Sequence, residues 1–328
     1  MKLTRSVLVL CLAATMVGCV ATTGGARKPA DPLNVENGSA FKGKQALAIG
    51  SFKVTYVTFD KSSAKATSSM FSSDSGFAKM TLRAKLEGID DATFQGLTDY
   101  AYQDFTKRLQ DNGYEIINRA RIESAKGYAA LPSTANPHKD TSSFTAITGG
   151  SRETATFAPT GLPLYHKGEY GGAPLPAPFG MYAVAQAAGV PTINVHYIVH
   201  FAYFEGATSN SLNVKTASVN MGQTVRVEHG SQAILAVGDG STFNNPNAKI
   251  NLTWGEASTQ EYGTTSDATS GAQEAANAFS SVVGLLSGSS MAAREYLIQA
   301  DPEKYTMAAK DVIGRTNAQF TTKMLSLR

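Results

Sequence analysis

Cysteine is scarce in this sequence: among 328 residues only Cys11 and Cys19 occur, both near the N-terminus. The rest of the chain therefore has neither a disulfide framework nor a thiol nucleophile. It also lacks the Gly-x-Ser-x-Gly turn of serine hydrolases and the lysine-containing glycine loop that holds phosphates. We predict no catalytic residue and no cofactor.

Charge of either sign is modest. The 29 Lys and Arg residues nearly balance the 26 Asp and Glu residues, which leaves a net charge of +3. The most concentrated basic pair is Lys107-Arg108, and helical residues separate it from Arg119 and Arg121. A nucleic-acid surface needs clustered lysine and arginine, so we predict no nucleic-acid partner.

The first eighteen residues have the form of an export signal. Lys2 and Arg5 give a positive start, and the stretch 6–17 that follows is almost wholly apolar. This stretch is too short to cross a bilayer as a helix, and polar residues follow it. The pattern predicts export from the cytoplasm.

The end of that segment, Met16-Val17-Gly18-Cys19, resembles the lipobox of bacterial lipoproteins. The resemblance implies that residues 1–18 are removed and that Cys19 carries lipid, which anchors the chain to a membrane. Val20 follows in place of Asp, which implies the outer membrane and a domain that faces the periplasm. The alternative is an ordinary signal peptide cut near Ala13-Ala14 or after Gly18.

The region after Cys19 is rich in Gly, Thr, Pro and Asn. Such a composition buries little surface, so we predict a flexible tether over residues 19–40. The remainder, residues 41–328, is long enough for one large domain, and we predict a single α/β domain there.

Hydrophobic periodicity in the first half predicts alternating strands and helices. A strand is expected over 45–60, bent near Gly50-Ser51, and a polar loop over 61–79. Asp90 and Asp91 can cap a helix that ends at Asn112-Gly113. A short strand at 114–118 and a helix at 121–130 follow, which together predict a parallel strand pair with a right-handed crossover.

The second half is expected to be rich in strands. Eight of the twelve prolines fall in 131–191, which predicts a long loop insertion with a short helix at 181–188. Residues 192–205 form the strongest strand pattern, and antiparallel strands are expected at 212–221, 224–229, 233–237 and 249–254. The small and apolar stretch 271–286 suits a core helix, or a contact with a membrane or partner subunit. Asp301-Pro302 opens a final helix.

The strand Ala46–Phe52, the helix that ends in Leu109–Gly113 and the segment Tyr114–Ile122 together resemble the N-terminal part of the curli secretion lipoprotein family and of TolB N-terminal-like domains. The resemblance covers about 45–130, and the rest of the chain follows the same order of elements. It implies a mixed sheet with flanking helices and a role in an envelope assembly. Inference of function from a shared fold is an analogy.

Two groups of residues are candidates for binding chemistry. His196 and His200 are four residues apart on a strand, about 13 Å, which is too far for one metal ion, so we predict no metal site there. His166 lies between Tyr165 and Tyr170 in the proline-rich segment, and tyrosine is common in contact surfaces. We predict a recognition loop of Tyr165, His166 and Tyr170, with a solvated loop as the alternative.

The sequence thus predicts a non-enzymatic envelope lipoprotein that belongs to an outer-membrane assembly or secretion complex and associates with itself or with envelope proteins. One alternative is a monomeric lipoprotein that binds a small ligand or glycan through the proline-rich segment. Another is a hydrolase with an unfamiliar site.

Overall fold

A mixed sheet organises the part of the chain that the structure describes. The structure is a computed structural model, and it describes residues 31–67, 77–140, 152–166, 180–211, 214–238, 247–287 and 289–328. From Asp31 onward these residues form one compact unit. The strands are β1 Leu33–Glu36, β2 Ala46–Thr67, β3 Phe77–Glu87, β4 Glu115–Ile116, β5 His138–Asp140, β6 Arg152–Phe157, β7 Thr192–Ser211, β8 Val214–Val227, β9 Gln232–Ala236, β10 Ala248–Leu252, β11 Glu256–Ala257, β12 Gly263–Asp267 and β13 Ser290–Ala300.

Five α-helices accompany these strands in the described ranges. Two of them are long and lie together, and three are shorter or sit at the margin of the sheet. They are α1 Asp91–Asp111, α2 Ala120–Glu123, α3 Gly180–Ala188, α4 Gly271–Ser287 and α5 Pro302–Leu327. None of the helices described is long and apolar enough to cross a membrane.

The sheet runs in the order β1-β10-β9-β7-β2-β3-β13-β12. Most neighbours are antiparallel, whereas β2 pairs parallel with β7 and with the short β4, and β3 pairs parallel with β13. Strand β6 adds to the other side of β2 and in turn pairs with β5. Because β2 pairs with β3, β4, β6 and β7, it is the organising strand of the fold.

Strand β2 changes partner along its length. Its first half pairs with β7 up to Tyr56, and from Phe59 onward it pairs with β3. A register shift between Val57 and Phe59 marks the change. Beyond it, the β2–β3 hairpin packs against the β7–β8 hairpin, and a Cβ placed on Gly206 would lie 3.4 Å from Cβ of Ala64. The sheet therefore divides into two hairpins that lie against each other.

Helices α1 and α5 cover one face of the central strands. Alternation along β2 turns Phe52, Val54 and Tyr56 toward these helices, where all three are buried. The Tyr56 ring stacks on Phe94 of α1 with centroids 4.4 Å apart. Apolar burial of this kind supplies the main driving force for folding, at roughly 25 cal/mol for each Å² removed from water.

Helix α3 covers one end of the opposite face. Its Met181 and Val184 join Ala48, Leu131 and Tyr165 in a second apolar cluster. A Cβ on Gly50 would lie 3.0 Å from Met181 Sδ and 2.3 Å from Asn194 Oδ1, so the absence of a side chain at position 50 lets the helix approach β2. Farther along β2 this face carries polar side chains instead.

The predicted fold class is confirmed: the described chain is a mixed α/β structure with a large mixed sheet. Asp90 caps helix α1, where its side chain accepts the Thr93 N–H, and Asp301 caps helix α5, as the capping patterns predicted. The bend expected at Gly50-Ser51 is a register shift between Ile49 and Ser51.

Several predicted boundaries are wrong. The tether was expected to reach residue 40, but β1 pairs with β10 and Leu33 is buried, because Leu33–Glu36 adds a strand to the edge of the sheet. Residues 61–67 and 77–79 belong to β2 and β3 rather than to a loop. The insertion 131–191 was expected to be loop around a short helix, yet β6 within it pairs with β2. The helix expected at 121–130 is only α2 and a 3-10 turn, Tyr128–Ala130.

Candidate functional site

Four of the five histidines lie on or against one face of the sheet, opposite α1 and α5. We call this the histidine face. It arises because every second residue of a strand points the same way, so the strands that bury tyrosine and valine under the helices turn polar residues outward. Its members on β2, β5, β6 and β7, with His166 from the adjoining segment, are Lys53, Thr55, Asp60, His138, Asp140, Arg152, Thr156, His166, His196 and His200.

An ion cluster occupies one part of this face. Arg152 donates to Asp60 Oδ2 over 2.7 Å and to Glu228 Oε2 over 2.9 Å. His200 Nε2 lies 2.9 Å from the same Oδ2 atom of Asp60. Burial would raise the pKa of Asp60, but the hydrogen bonds from His200 and Arg152 and the positive charge of Arg152 outweigh it and hold this pKa below its usual range. The cluster links the middle of β2 and of β7 to the first residue of β6 and to Glu228, which directly follows β8.

Both ring nitrogens of His200 are engaged in this cluster. The Ala202 N–H donates to Nδ1 over 2.9 Å, so the ring hydrogen resides on Nε2, which donates to Asp60. The ring is almost completely buried. A general base needs a nitrogen that can reach a substrate proton, and in this arrangement neither nitrogen is available. The Asp60–His200 pair is therefore suited to holding strands together rather than to proton transfer.

A second polar cluster lies around Thr55 of β2. Thr55 Oγ1 is 2.9 Å from Thr156 Oγ1 and 2.9 Å from His196 Nε2. Burial, followed by the nearby charges of Lys53 and His166, lowers the pKa of His196 well below its ordinary value. The His196 imidazole is consequently neutral at physiological pH, and it acts here as a hydrogen-bonding partner between strands.

Lys53 fixes the segment that carries His166. Its side chain is buried, and its Nζ donates to the carbonyl of Tyr165 over 2.6 Å and to that of His166 over 3.4 Å. An isolated bridge between Thr134 and Leu164 holds the same segment two residues earlier. The backbone at His166 is thus attached at two points to the neighbouring structure.

His138, Asp140 and His166 come together beside this cluster. One ligand atom of each residue lies within 4.8 Å of those of the other two, and all three side chains are half-buried. The rings of His138 and His166 lie with centroids 3.9 Å apart and planes inclined by 37°. His138 and Asp140 point to the same side because they are two residues apart on β5, where they oppose Thr156 and Thr154 of β6.

The residues predicted from sequence as site residues lie in different environments. His166 lies on the histidine face, but Tyr165 is buried beneath α3, because its ring completes the apolar cluster there. Tyr165 therefore offers little surface for contact with a partner in the predicted recognition loop. Cys19 and Tyr170 lie outside the described residues.

The His196 and His200 rings, which the sequence placed on the same strand face, do lie on one face and contact different partners. His196 contacts Thr55, and His200 contacts Asp60. Sequence reasoning missed Arg152 and the group of His138, Asp140 and His166. The signal available for the group was the His-x-Asp spacing on a strand, but nothing in the sequence brings His166, 28 positions later, into contact with it.

A groove elsewhere on the surface is a weaker candidate for a functional site. It has a volume of about 390 Å³ and lies between β1 and α5. The ionisable groups that line it, Asp31 and Lys323, form an ion pair with each other. The histidine face is therefore the better candidate site, because several groups that can act as ligands converge there.

The chain matches no protein-family model, no curated protein and no solved structure. The structure itself places it among mixed α/β proteins with a large sheet.

Proposed function

We propose that this chain is a lipid-anchored, non-enzymatic component of an outer-membrane assembly or secretion complex and that it acts through contacts with copies of itself and with envelope proteins. The observation that carries the proposal is the pair of long hairpins. Strands β2 and β7 contain 22 and 20 residues, whereas strands in globular proteins usually have 3–10. A strand of 22 residues has a contour length of about 70 Å, against about 30 Å for helix α1.

The outer parts of these hairpins are built for contact rather than for a deep core. Residues 205–209 of β7 are exposed, as are Ser63, Lys65 and Thr67 of β2. The side chains buried between the hairpins include the small Ala64, Ala66 and Ala78. Exposed hairpins present edges and faces that pair readily with other chains. This favours association as their role.

Two further observations support the proposal. The lipobox resemblance at Cys19 implies attachment to a membrane, which concentrates copies in a plane and favours association. The Asp60–His200 pair, the arrangement that most resembles catalytic machinery, has both ring nitrogens of its histidine engaged. The hydrolase alternative therefore gains no support from it. The ligand-binding alternative is weakened because Tyr165 is buried.

Native mass spectrometry of the chain extracted in mild detergent tests the proposal, since it reports both the acylated mass and the number of subunits. We expect a lipidated oligomer of defined size. A variant with Thr208→Lys and Ser209→Lys places two charges on the exposed end of β7 and should dissociate it. Ser133→Lys, in an exposed loop, is the matched control and should leave it intact. A lipidated monomer at all concentrations would contradict the proposal.

A further inference from the structure

We propose that His138, Asp140 and His166 form a binding site for a divalent transition-metal ion, with Zn²⁺ as the ion that fits best. The inference does not depend on the proposed function. It rests on the convergence of two imidazoles and one carboxylate, whose ligand atoms all lie within 4.8 Å of one another. Imidazole nitrogen and carboxylate oxygen are both ordinary zinc ligands.

The distances are close to those that a bound ion needs. Zinc holds its ligands at about 2.0–2.2 Å, so two ligand atoms on one tetrahedral ion lie about 3.4 Å apart. The three ligand atoms, which now lie within 4.8 Å of one another, reach that separation through side-chain movements on the order of 1 Å. Rotation of the two rings out of their present 37° inclination supplies such a movement without a change of backbone.

The backbone beneath the three residues is already fixed. His138 and Asp140 belong to β5 and are held in register by β6, with His138 opposite Thr156 and Asp140 opposite Thr154. The carbonyl of His166 accepts a hydrogen bond from Lys53, and the bridge at Leu164 lies two residues before it. Ligands on constrained backbone lose little entropy when an ion binds, which favours affinity.

The ligand set also indicates the kind of site. Three protein ligands leave a coordination position for water or for a further ligand, as in exchangeable and catalytic zinc sites, whereas structural sites use four. The half-buried position of the three side chains lets an ion reach them from solvent. A bound ion would cross-link the segment that carries His166 to strand β5.

Isothermal titration of the full chain with Zn²⁺ tests the site, with protein purified without a polyhistidine tag and first treated with a chelator. We expect one Zn²⁺ per chain and a rise in Tm when zinc is added, because an ion that binds the folded state stabilises it. His138→Gln, His166→Gln and Asp140→Asn should each weaken binding by at least about 10–100-fold, since even residues that only support metal ligands cost that much. His229→Gln removes an exposed histidine outside the group and should bind as the parent does.

The outcomes separate this site from incidental binding. Circular dichroism and the Tm without zinc establish that each variant is folded, which we expect because the three side chains are half-exposed. Absence of zinc binding by the parent chain would overturn the proposal, as would variants at positions 138 and 166 that bind as tightly as the parent. Unchanged affinity in Asp140→Asn would overturn the three-ligand assignment. Replacement of zinc by Co²⁺ gives an independent test. Tetrahedrally coordinated Co²⁺ should give a visible absorption band in the parent, and this band should be lost in the histidine variants.

Discussion

His200 donates a hydrogen bond from Nε2 to Oδ2 of Asp60 over 2.9 Å, and the same carboxylate oxygen accepts from Arg152 over 2.7 Å. Asp60 is thus the anion that two partners from different strands share. Its removal leaves the Arg152 guanidinium with Glu228 as its remaining carboxylate partner. Loss of the Asp60 carboxylate should therefore destabilise the fold strongly, because all of these groups are mostly shielded from water.

We expect Asp60→Asn to lower the free energy of unfolding at pH 7 by about 3 kcal/mol, which is the loss of stability typical when one partner of a buried ion pair is removed. Urea denaturation measures it. Asp111→Asn is a suitable control, because Asp111 forms an exposed ion pair with Lys107 and should cost less than about 1 kcal/mol. If the two substitutions had equally small effects, the ion cluster around Asp60 would contribute little to the free energy of unfolding.

The same carboxylate predicts a dependence of stability on pH. The pKa of Asp60 is lower in the folded protein than its ordinary value of 3.8. Its contribution to stability is therefore complete well above that value and is lost as the pH falls below it through the folded-state pKa. The stability difference between the parent and Asp60→Asn should shrink between pH 5 and pH 2 in urea titrations. A difference that grows on acidification would contradict this assignment.

A buried amide connects the two long helices to the sheet. Asn317 of α5 accepts from the Tyr197 hydroxyl over 2.8 Å and donates to the Ala101 carbonyl over 3.0 Å and to Asp104 over 2.8 Å. Asn317→Ala should cost about 3 kcal/mol, because it leaves several buried polar groups without this partner. Tyr197→Phe should cost about 1–2 kcal/mol.

A double-mutant cycle separates the bond from its surroundings. The combined Tyr197→Phe and Asn317→Ala variant should lose less than the sum of the single variants, with a coupling of about 1 kcal/mol in chemical denaturation. Tyr100→Phe in place of Tyr197→Phe is the control. Its hydroxyl contacts the Lys310 carbonyl instead, so its effect should add to that of Asn317→Ala. Full additivity in the first cycle would rule out an energetic role for the Tyr197–Asn317 bond.

Local patterns predicted the helices of this fold better than its strands. Asp90 and Asp301 identify their helix starts because a cap acts within one turn of chain. The length of β2 could not be predicted, because its polar second half, including Ser62 and Ser63, is strand only through pairing with β3. The pairing of β6 with β2 is likewise a long-range event.

The candidate site was less predictable for the same reason. The alternation of β7 correctly placed His196 and His200 on one face. Contact between His138 and His166 depends on the β5–β6 ladder and on Lys53, none of which a local pattern reveals. Residues separated by many positions meet only once tertiary pairing is fixed.

Two strand glycines should respond differently to substitution. At Gly50 a Cβ would lie 2.3 Å from Asn194 Oδ1 and 3.0 Å from Cβ of Thr192, both in the interior. At Gly222 it would lie 1.8 Å from Cε1 of Tyr203, but that ring is 43 % exposed and can turn into solvent. Gly50→Ala should therefore cost about 3 kcal/mol, and Gly222→Ala about 1 kcal/mol.

Thermal or urea denaturation of the two variants measures this difference. Tyr203→Ala removes the obstructing ring, so Gly222→Ala in that background should be neutral or slightly stabilising, since alanine reduces the freedom of the unfolded chain. A large loss for Gly222→Ala that persists without the Tyr203 ring would show that backbone strain, rather than the ring, requires glycine there.

The lipid anchor itself is testable through one residue. If Cys19 carries lipid, Cys19→Ala should abolish acylation and move the protein from the detergent-rich to the aqueous phase in a phase-separation assay. The reason is that several acyl chains anchor a protein firmly, since each buried CH₂ group contributes roughly 0.8 kcal/mol. Cys11→Ala is the matched control, because Cys11 lies within the segment predicted to be removed, and that variant should remain in the detergent phase. Partitioning of both variants into the aqueous phase would mean that the chain is an ordinary exported protein, and the assembly proposed for it would then have to form without a shared membrane surface.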